Sequence, residues 1–345
     1  MSENSKIEWT DHTFNPWEGC QKVGPGCDHC YAEARNARFS GGQAINWGPG
    51  APRRRTSEAN WRKPLAWNAA HDKFFAEHGR RQRVFCASLA DVFDNAVSAQ
   101  WRFNLLRLIT ETPNLDWLLL TKRIGNAAEM LEQAMRAITH QREGWADNYL
   151  PNVWIGATVV NQAEADRDIP KLLAAPARVR FLSMEPLLGP VTIRQYLMAG
   201  KHPGRCAACG KGHGFTRCPN YGGVAQKREG PDGCDGFVRE DFALDWIIVG
   251  GESGPGARPM HPDWAAGLRD QCAAAGVPFL FKQWGEHAPN DRTMAEVESS
   301  TRGYTFVHYS ATQPFPIAAM DRVGKKAAGR LLDGVQHDGF PGGAP

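Results

Sequence analysis

Three cysteines lie within eleven residues near the start of the chain: Cys20, Cys27 and Cys30. Gly24, Pro25 and Gly26 make the segment between the first two a turn, so three thiolates can converge on one centre. A structural zinc ion takes four ligands and would draw the fourth from His29 or His12. An iron–sulfur cluster held by three cysteines leaves one iron open to an outside ligand. The spacing fits both. A second set, Cys206, Cys209, Cys218 and Cys234, offers four ligands in a Gly-, Pro- and Lys/Arg-rich stretch. Its first pair has the spacing of a zinc knuckle and its second pair does not. Structural zinc is the first reading there, an auxiliary iron–sulfur cluster the second. Cys86 and Cys272 stand alone and are expected to be small buried apolar residues.

Nine cysteines would suit a disulfide framework only in an oxidising compartment. The opening MSENSKIEWTDHTF has no apolar core of a secretory signal. The longest apolar runs fall far short of the ~20 residues a membrane helix needs. A cytoplasmic protein with no membrane association is expected, and clustered thiols there usually bind metal. Lys and Arg number 40 against 37 Asp and Glu, a net charge of +3. That balance excludes a histone-like polycation and leaves a local basic patch open.

The elements that must position these groups are legible as short apolar runs. They are Val84 to Ser88, Trp117 to Thr121, Val153 to Thr158, Val179 to Met184, Trp246 to Gly250 and Pro278 to Lys282. Each is apolar on both faces, as a buried parallel strand is. Amphipathic stretches lie between them, such as Ala99 to Thr110 and Trp264 to Ala275, the latter with Asp263 as its expected N-cap. Alternating strand and helix gives an α/β fold. Six strands, with one more near the first cysteines, suggest a full or partial (β/α) TIM-like barrel; an open doubly wound sheet is the alternative. Residues 200–240 break the pattern and read as a cysteine-rich metal-binding insertion. The expected organisation is barrel over 1–199, insertion over 200–240, barrel again over 241–330 and a flexible tail over 331–345. Four of the strands end in polar residues: Ser88 to Asp91, Thr121-Lys122-Arg123, Ser183-Met184-Glu185 and Gly250-Gly251-Glu252-Ser253. In a barrel these ends share one face, so a common polar pocket is expected.

The segment Gly26-Cys27-Asp28-His29-Cys30-Tyr31-Ala32 resembles the radical S-adenosylmethionine (SAM) superfamily, and within it the side related to spore-photoproduct lyase. Trp9-Thr10-Asp11, Phe14-Asn15-Pro16 and Gly250-Gly251-Glu252-Ser253-Gly254 resemble a phage- and prophage-borne family of that superfamily. The gap between Cys20 and Cys27 is wider than members typically have. The resemblance implies a 4Fe-4S cluster on Cys20, Cys27 and Cys30, with SAM on the open iron. It implies reductive cleavage of SAM to a 5′-deoxyadenosyl radical, and an electron donor such as flavodoxin or ferredoxin. His29 matches a position that lies against the adenine. Gly250, Gly251 and Glu252 have the composition of a segment that holds the methionine amine, although that segment usually follows an earlier strand. Lys122, Arg123 and Arg258 could pair with the SAM carboxylate or a substrate phosphate. Ser183 and Glu185 complete the expected cofactor-binding set.

Trp47 to Trp67 combines Arg53-Arg54-Arg55 and Arg62-Lys63 with three tryptophans. Cations can neutralise phosphates and aromatic planes can stack on a base; the competing reading is an ordinary exposed loop. Trp117, Trp154 and Trp246 sit in strand runs and are expected in the core. The functional expectation is a radical SAM enzyme acting on a nucleic-acid base, favoured as rearrangement or isomerisation of a hypermodified thymine in phage DNA. A repair lyase or an enzyme modifying a small molecule or peptide is the alternative. A non-catalytic zinc protein that binds nucleic acid is the alternative of another class.

Overall fold

Seven parallel strands follow one another in chain order across a single curled sheet. They are β1 (His12–Phe14), β2 (Gln82–Cys86), β3 (Leu115–Thr121), β4 (Val153–Thr158), β5 (Val179–Met184), β6 (Trp246–Gly250) and β7 (Phe279–Gln283). The computed structural model describes residues 5–139, 150–197, 243–290, 304–310, 312–313 and 316–342. Each strand lies beside its predecessor: His12 faces Val84, Val84 faces Trp117 and Trp117 faces Val153. This is a parallel half-barrel, so the sequence-level α/β reading and the six apolar runs hold, and the doubly wound alternative does not.

The strands are apolar on both faces because both faces are covered. On the convex side, Phe14, Val84, Trp117, Ile155, Leu182, Val249 and Phe281 pack against helical residues such as Leu105, Leu131, Ile169 and Leu268. The principal helices are α1 (Tyr31–Phe39), α2 (Ala99–Glu111), α3 (Ala127–Thr139), α4 (Gln162–Ala174) and α5 (Pro262–Ala275). Helix α5 is capped by His261, whose Nδ1 accepts from the Asp263 amide at 3.1 Å, not by Asp263. Pro262 takes the first helical position, where a missing N–H costs nothing.

On the concave side a second, smaller core joins Phe85, Leu118, Trp154, Phe181, Trp246, Ile248 and Leu280. Trp9 closes it from the N-terminal segment, with ring centroids 4.7 Å from Phe85 and 6.3 Å from Trp246. The tail expected to be flexible packs on the barrel: Phe340 lies on Trp246 at 5.1 Å, and the Trp246 indole donates to Gly339 O at 2.7 Å. An apolar ring that covers the barrel floor gains burial that outweighs the entropy of a free end.

The motifs that flank β1 are structural braces. Thr10 Oγ1 donates to Arg83 O and accepts from the Phe85 amide. Asp11 accepts two bonds from Arg80 and one from the Arg83 amide. Asn15, 1% exposed, accepts from the Leu89 amide at 2.7 Å and donates to Ser88 Oγ at 3.0 Å. A feature the sequence reading did not anticipate is a three-stranded antiparallel sheet of β8 (His287–Pro289), β9 (Tyr304–His308) and β10 (Ile317–Arg322), with β10 in the middle. Cys206, Cys209, Cys218 and Cys234 lie outside the described residues. Among the described residues no helix is long and apolar enough to cross a membrane.

Candidate functional site

Side chains two positions beyond the inner apolar layer point the same way as that layer. On β5 and β7 those positions hold Ser183 and Lys282, while Thr158, four past Trp154, and Thr13, paired with Phe85, share the same face; all four line one cavity at the carboxyl ends of the strands. The cavity has a volume of about 670 Å3, within the usual range for a cofactor or small-molecule site. Its floor is apolar, from Trp9, Phe85 and Leu120. The expected polar strand ends meet here: Ser88, Asp91, Thr121, Lys122, Ser183, Glu185, Gly251, Glu252 and Ser253.

Cys20, Cys27, His29 and Cys30 line the same cavity. None of the three cysteines is in a disulfide; Cys27 is buried, and Cys20 and Cys30 are half-buried. Gly26 lets the loop sit down on the barrel, since a Cβ there would lie 2.8 Å from Val160 Cγ1. Tyr31, the first residue of α1, donates to Ser88 O at 2.5 Å and ties the end of the loop to β2. Burial pushes the Cys20 thiol up to about 12, with the Asp91 carboxylate adding to the effect. Asp91 is itself raised by burial, although Thr121 Oγ1 and the Lys122 and Phe93 amides donate to it.

The two histidines offered as a fourth zinc ligand are placed differently. His12 is on the convex face, bonded to Gln82 Oε1 at 2.6 Å and stacked on Trp67 at 4.2 Å. His29 Nδ1 lies 3.1 Å from Glu252 Oε2. Among the described residues no three His, Cys, Asp or Glu side chains converge as a single metal ion requires. A polynuclear cluster takes each thiolate on its own iron, so it needs thiols around a cavity and not at one point. The donor set is compatible with that second arrangement: three thiols outside any disulfide line the cavity, the first two separated by a glycine-rich turn.

The expected cofactor-binding residues divide by partner. Glu252 is 6% exposed, and both its oxygens are taken: Arg258 Nε and Nη2 donate to them at 2.8 and 2.7 Å, and the Arg258 amide at 2.8 Å. Burial alone would raise the Glu252 carboxyl, but Arg258 and His29 hold it below its usual range. Arg123 reaches Gln21 O at 3.0 Å and Asp94 at 3.8 Å, so it serves the cysteine loop. Lys282 donates to both Glu185 oxygens at 2.9 and 2.7 Å, and Gln283 joins them to Ser253. Gly251 is required by backbone contact, since a Cβ would fall 1.9 Å from Trp284 O. Gly250 lies against Glu185. Lys122 touches Thr158 Oγ1 at 3.4 Å and has no carboxylate partner among the described residues. Ser183 has no hydrogen-bond partner for its hydroxyl among them either.

Comparison with known proteins adds a family. A family model described as "Protein of unknown function (DUF5131)" matches residues 4–341. The chain belongs to this family. No curated protein and no solved structure matches it. The match of DUF5131 spans the cysteine loop, the half-barrel and the antiparallel sheet alike.

Within the segment from Trp47 to Trp67, Arg53, Trp61 and Trp67 are buried, whereas Arg54 and Arg62 are exposed. Arg53 is buried and bonded to Asp94, Ala51 O and Asn46 O. Trp61 and Trp67 are buried, with Trp61 edge-on to Phe14 at 5.7 Å. Only Trp47 of the three lines the cavity. Cys86 and Cys272 are wholly buried, as expected, and burial pushes the Cys272 thiol up to about 12. Trp117, Trp154 and Trp246 are core residues, also as expected. Thr13, Thr158, Lys282 and Gln283 were not singled out in the sequence. The signal for Thr158 and Lys282 was their place in the period-two pattern, four residues past Trp154 and two past Leu280; Thr13 follows the polar Asp11 and carried no such signal.

Proposed function

We propose that the chain is a radical SAM enzyme acting on a nucleic-acid base. The observation that carries the reading is three unpaired thiols, Cys20, Cys27 and Cys30, on the wall of a cavity at the carboxyl ends of a curled parallel sheet. In this reading those residues hold a 4Fe-4S cluster that also binds SAM. When bound, that pair supplies one-electron reductive cleavage of SAM to methionine and a 5′-deoxyadenosyl radical, fed by a donor such as flavodoxin or ferredoxin.

The chain's own residues orient and shield. The floor of Trp9, Phe85 and Leu120 excludes water, which would otherwise quench reactive species. Lys122 presents an ammonium for a carboxylate or phosphate. Ser183 and Thr158 present hydroxyls from adjacent strands. With Glu252 occupied by Arg258 and His29, the methionine amine is not assigned to it. The aromatic side chains of Trp9, Phe85 and Trp47 in the cavity lining support a base as substrate. The favoured reaction is rearrangement or isomerisation of a hypermodified thymine in phage DNA, and the four cysteines from Cys206 to Cys234 are assigned structural zinc.

Iron and sulfide analysis of anaerobically purified protein tests the reading. About four iron per chain, with 5′-deoxyadenosine formed from SAM under dithionite, is the expected result. Zinc alone, with no SAM cleavage, overturns it in favour of a non-catalytic nucleic-acid-binding protein. SAM cleavage that DNA and RNA leave unchanged moves the substrate to a small molecule or peptide.

A further inference from the structure

Arg258 follows β6 and reaches across the cavity rim to the cysteine loop. Its guanidinium donates to four acceptor atoms: Glu252 Oε2 at 2.8 Å, Glu252 Oε1 at 2.7 Å, Asp28 Oδ2 at 2.9 Å and Pro25 O at 2.9 Å. Two of these acceptors belong to its own loop. The other two flank Cys27 in the segment that carries Cys27 and Cys30. Glu252 meanwhile takes His29 from that segment. One buried carboxylate and one planar guanidinium thus join two loops that are 230 residues apart in the chain.

We infer that Arg258 and Glu252 form a clamp that holds the Cys27-Asp28-His29-Cys30 segment against the barrel, making both positioning residues and not ligands of the cofactor. The assignment of a cluster to that segment rests on the function proposed above; the clamp itself rests on the contacts just given. The physical argument is geometric. A loop rich in glycine has many conformations, and Lys22, Val23, Pro25, Asp28 and His29 of this one are exposed. A planar fork of donors fixes orientation as well as position, which a lysine cannot do. Charged hydrogen bonds at a partly buried carboxylate supply the energy that the loop's own packing lacks. Thiols held in place before metal arrives lose less freedom when they bind it. The same argument places Glu252, the acidic residue of the Gly-Gly-Glu segment, on the structural side of the site.

The test uses the full-length, metal-free protein and N-ethylmaleimide, with mass spectrometry to time the labelling of each cysteine. Cys27 reports loop opening, and Cys272, wholly buried on the inner side of α5, reports global unfolding. In Arg258→Met, Cys27 should label at least about tenfold faster, the effect of losing charged hydrogen bonds, while the Cys272 rate is unchanged. Glu252→Gln should give a comparable rise, and the double variant no further one, because both changes open the same clamp. Arg258→Lys should fail to restore protection. An unchanged Cys27 rate in Arg258→Met overturns the clamp, as does a parallel rise at Cys27 and Cys272 or additive effects in the double variant. After reconstitution, the clamp variants should also lose iron to a chelator faster than the parent. Absence of iron from the parent protein would end the radical SAM reading and leave the labelling result standing.

Discussion

Arg53 Nε lies 2.8 Å from Asp94 Oδ2, with the arginine side chain 1% and the aspartate side chain 3% exposed. In sequence Arg53 is the first of three arginines; in the fold it is part of the core and its neighbour Arg54 is at the surface, 65% exposed. Arg53→Met therefore leaves Asp94 short of a partner and should cost about 3–5 kcal/mol. Arg54→Ala should cost at most about 1 kcal/mol. Urea unfolding of both variants checks the contrast, and equal losses would show that the pairing does not matter.

Trp61 is buried against Phe14, and the Arg55 guanidinium covers its ring at 4.2 Å. Trp61→Ala should cost about 3–5 kcal/mol through the cavity it leaves. If instead the variant melts like the parent and loses only affinity for DNA, Trp61 is a stacking platform and the core assignment fails.

Replacing Cys20, Cys27 and Cys30 together with Ala should abolish the brown chromophore of reconstituted protein and all reductive SAM cleavage. Cys272→Ala, a packing change only, should leave both intact. Production of 5′-deoxyadenosine by the triple variant would dispose of the cluster assignment.

Asp11 anchors the N-terminal segment to β2. Burial alone would raise its carboxyl, but two bonds from Arg80 and one from the Arg83 amide hold it below the usual carboxylate range. A depressed folded-state value means that Asp11 stabilises the fold fully above the unfolded value of about 3.9 and loses that contribution as pH falls below it. Asp11→Asn should thus be less stable than the parent at pH 7, and the difference should shrink progressively below about pH 4. Melting temperatures of the two proteins across that range provide the check; a constant difference would exclude linkage through Asp11.

How far local pattern reaches is clearest at the strands. Val153 to Thr158, Val179 to Met184 and Trp246 to Gly250 coincide with β4, β5 and β6 residue for residue. A strand buried on both faces needs an unbroken apolar run, and that is a local property. The meeting of Thr121, Lys122, Ser183, Glu185 and Glu252 in one cavity also follows from local facts, since consecutive parallel strands all end on the same side. The three clustered thiols needed only their spacing to stand out.

Partner choice is where the sequence stops and the tertiary structure decides. Whether Arg53 meets phosphate or Asp94 depends on a residue 41 positions away. Whether Glu252 meets a ligand depends on how the β6 loop folds back on itself and on the cysteine loop. Phe340 reads as part of a loose tail until Trp246 supplies the surface it covers. Charges and aromatics carry no mark of their partners, because the energy of each depends on a distance and a degree of burial that only the packed chain sets. Period and composition therefore determined the half-barrel and the thiol cluster. Long-range contact alone sorted its polar residues into those that brace the site and those that face the cavity, such as Lys122, without a carboxylate partner among the described residues, and Ser183, whose hydroxyl has no hydrogen-bond partner among them.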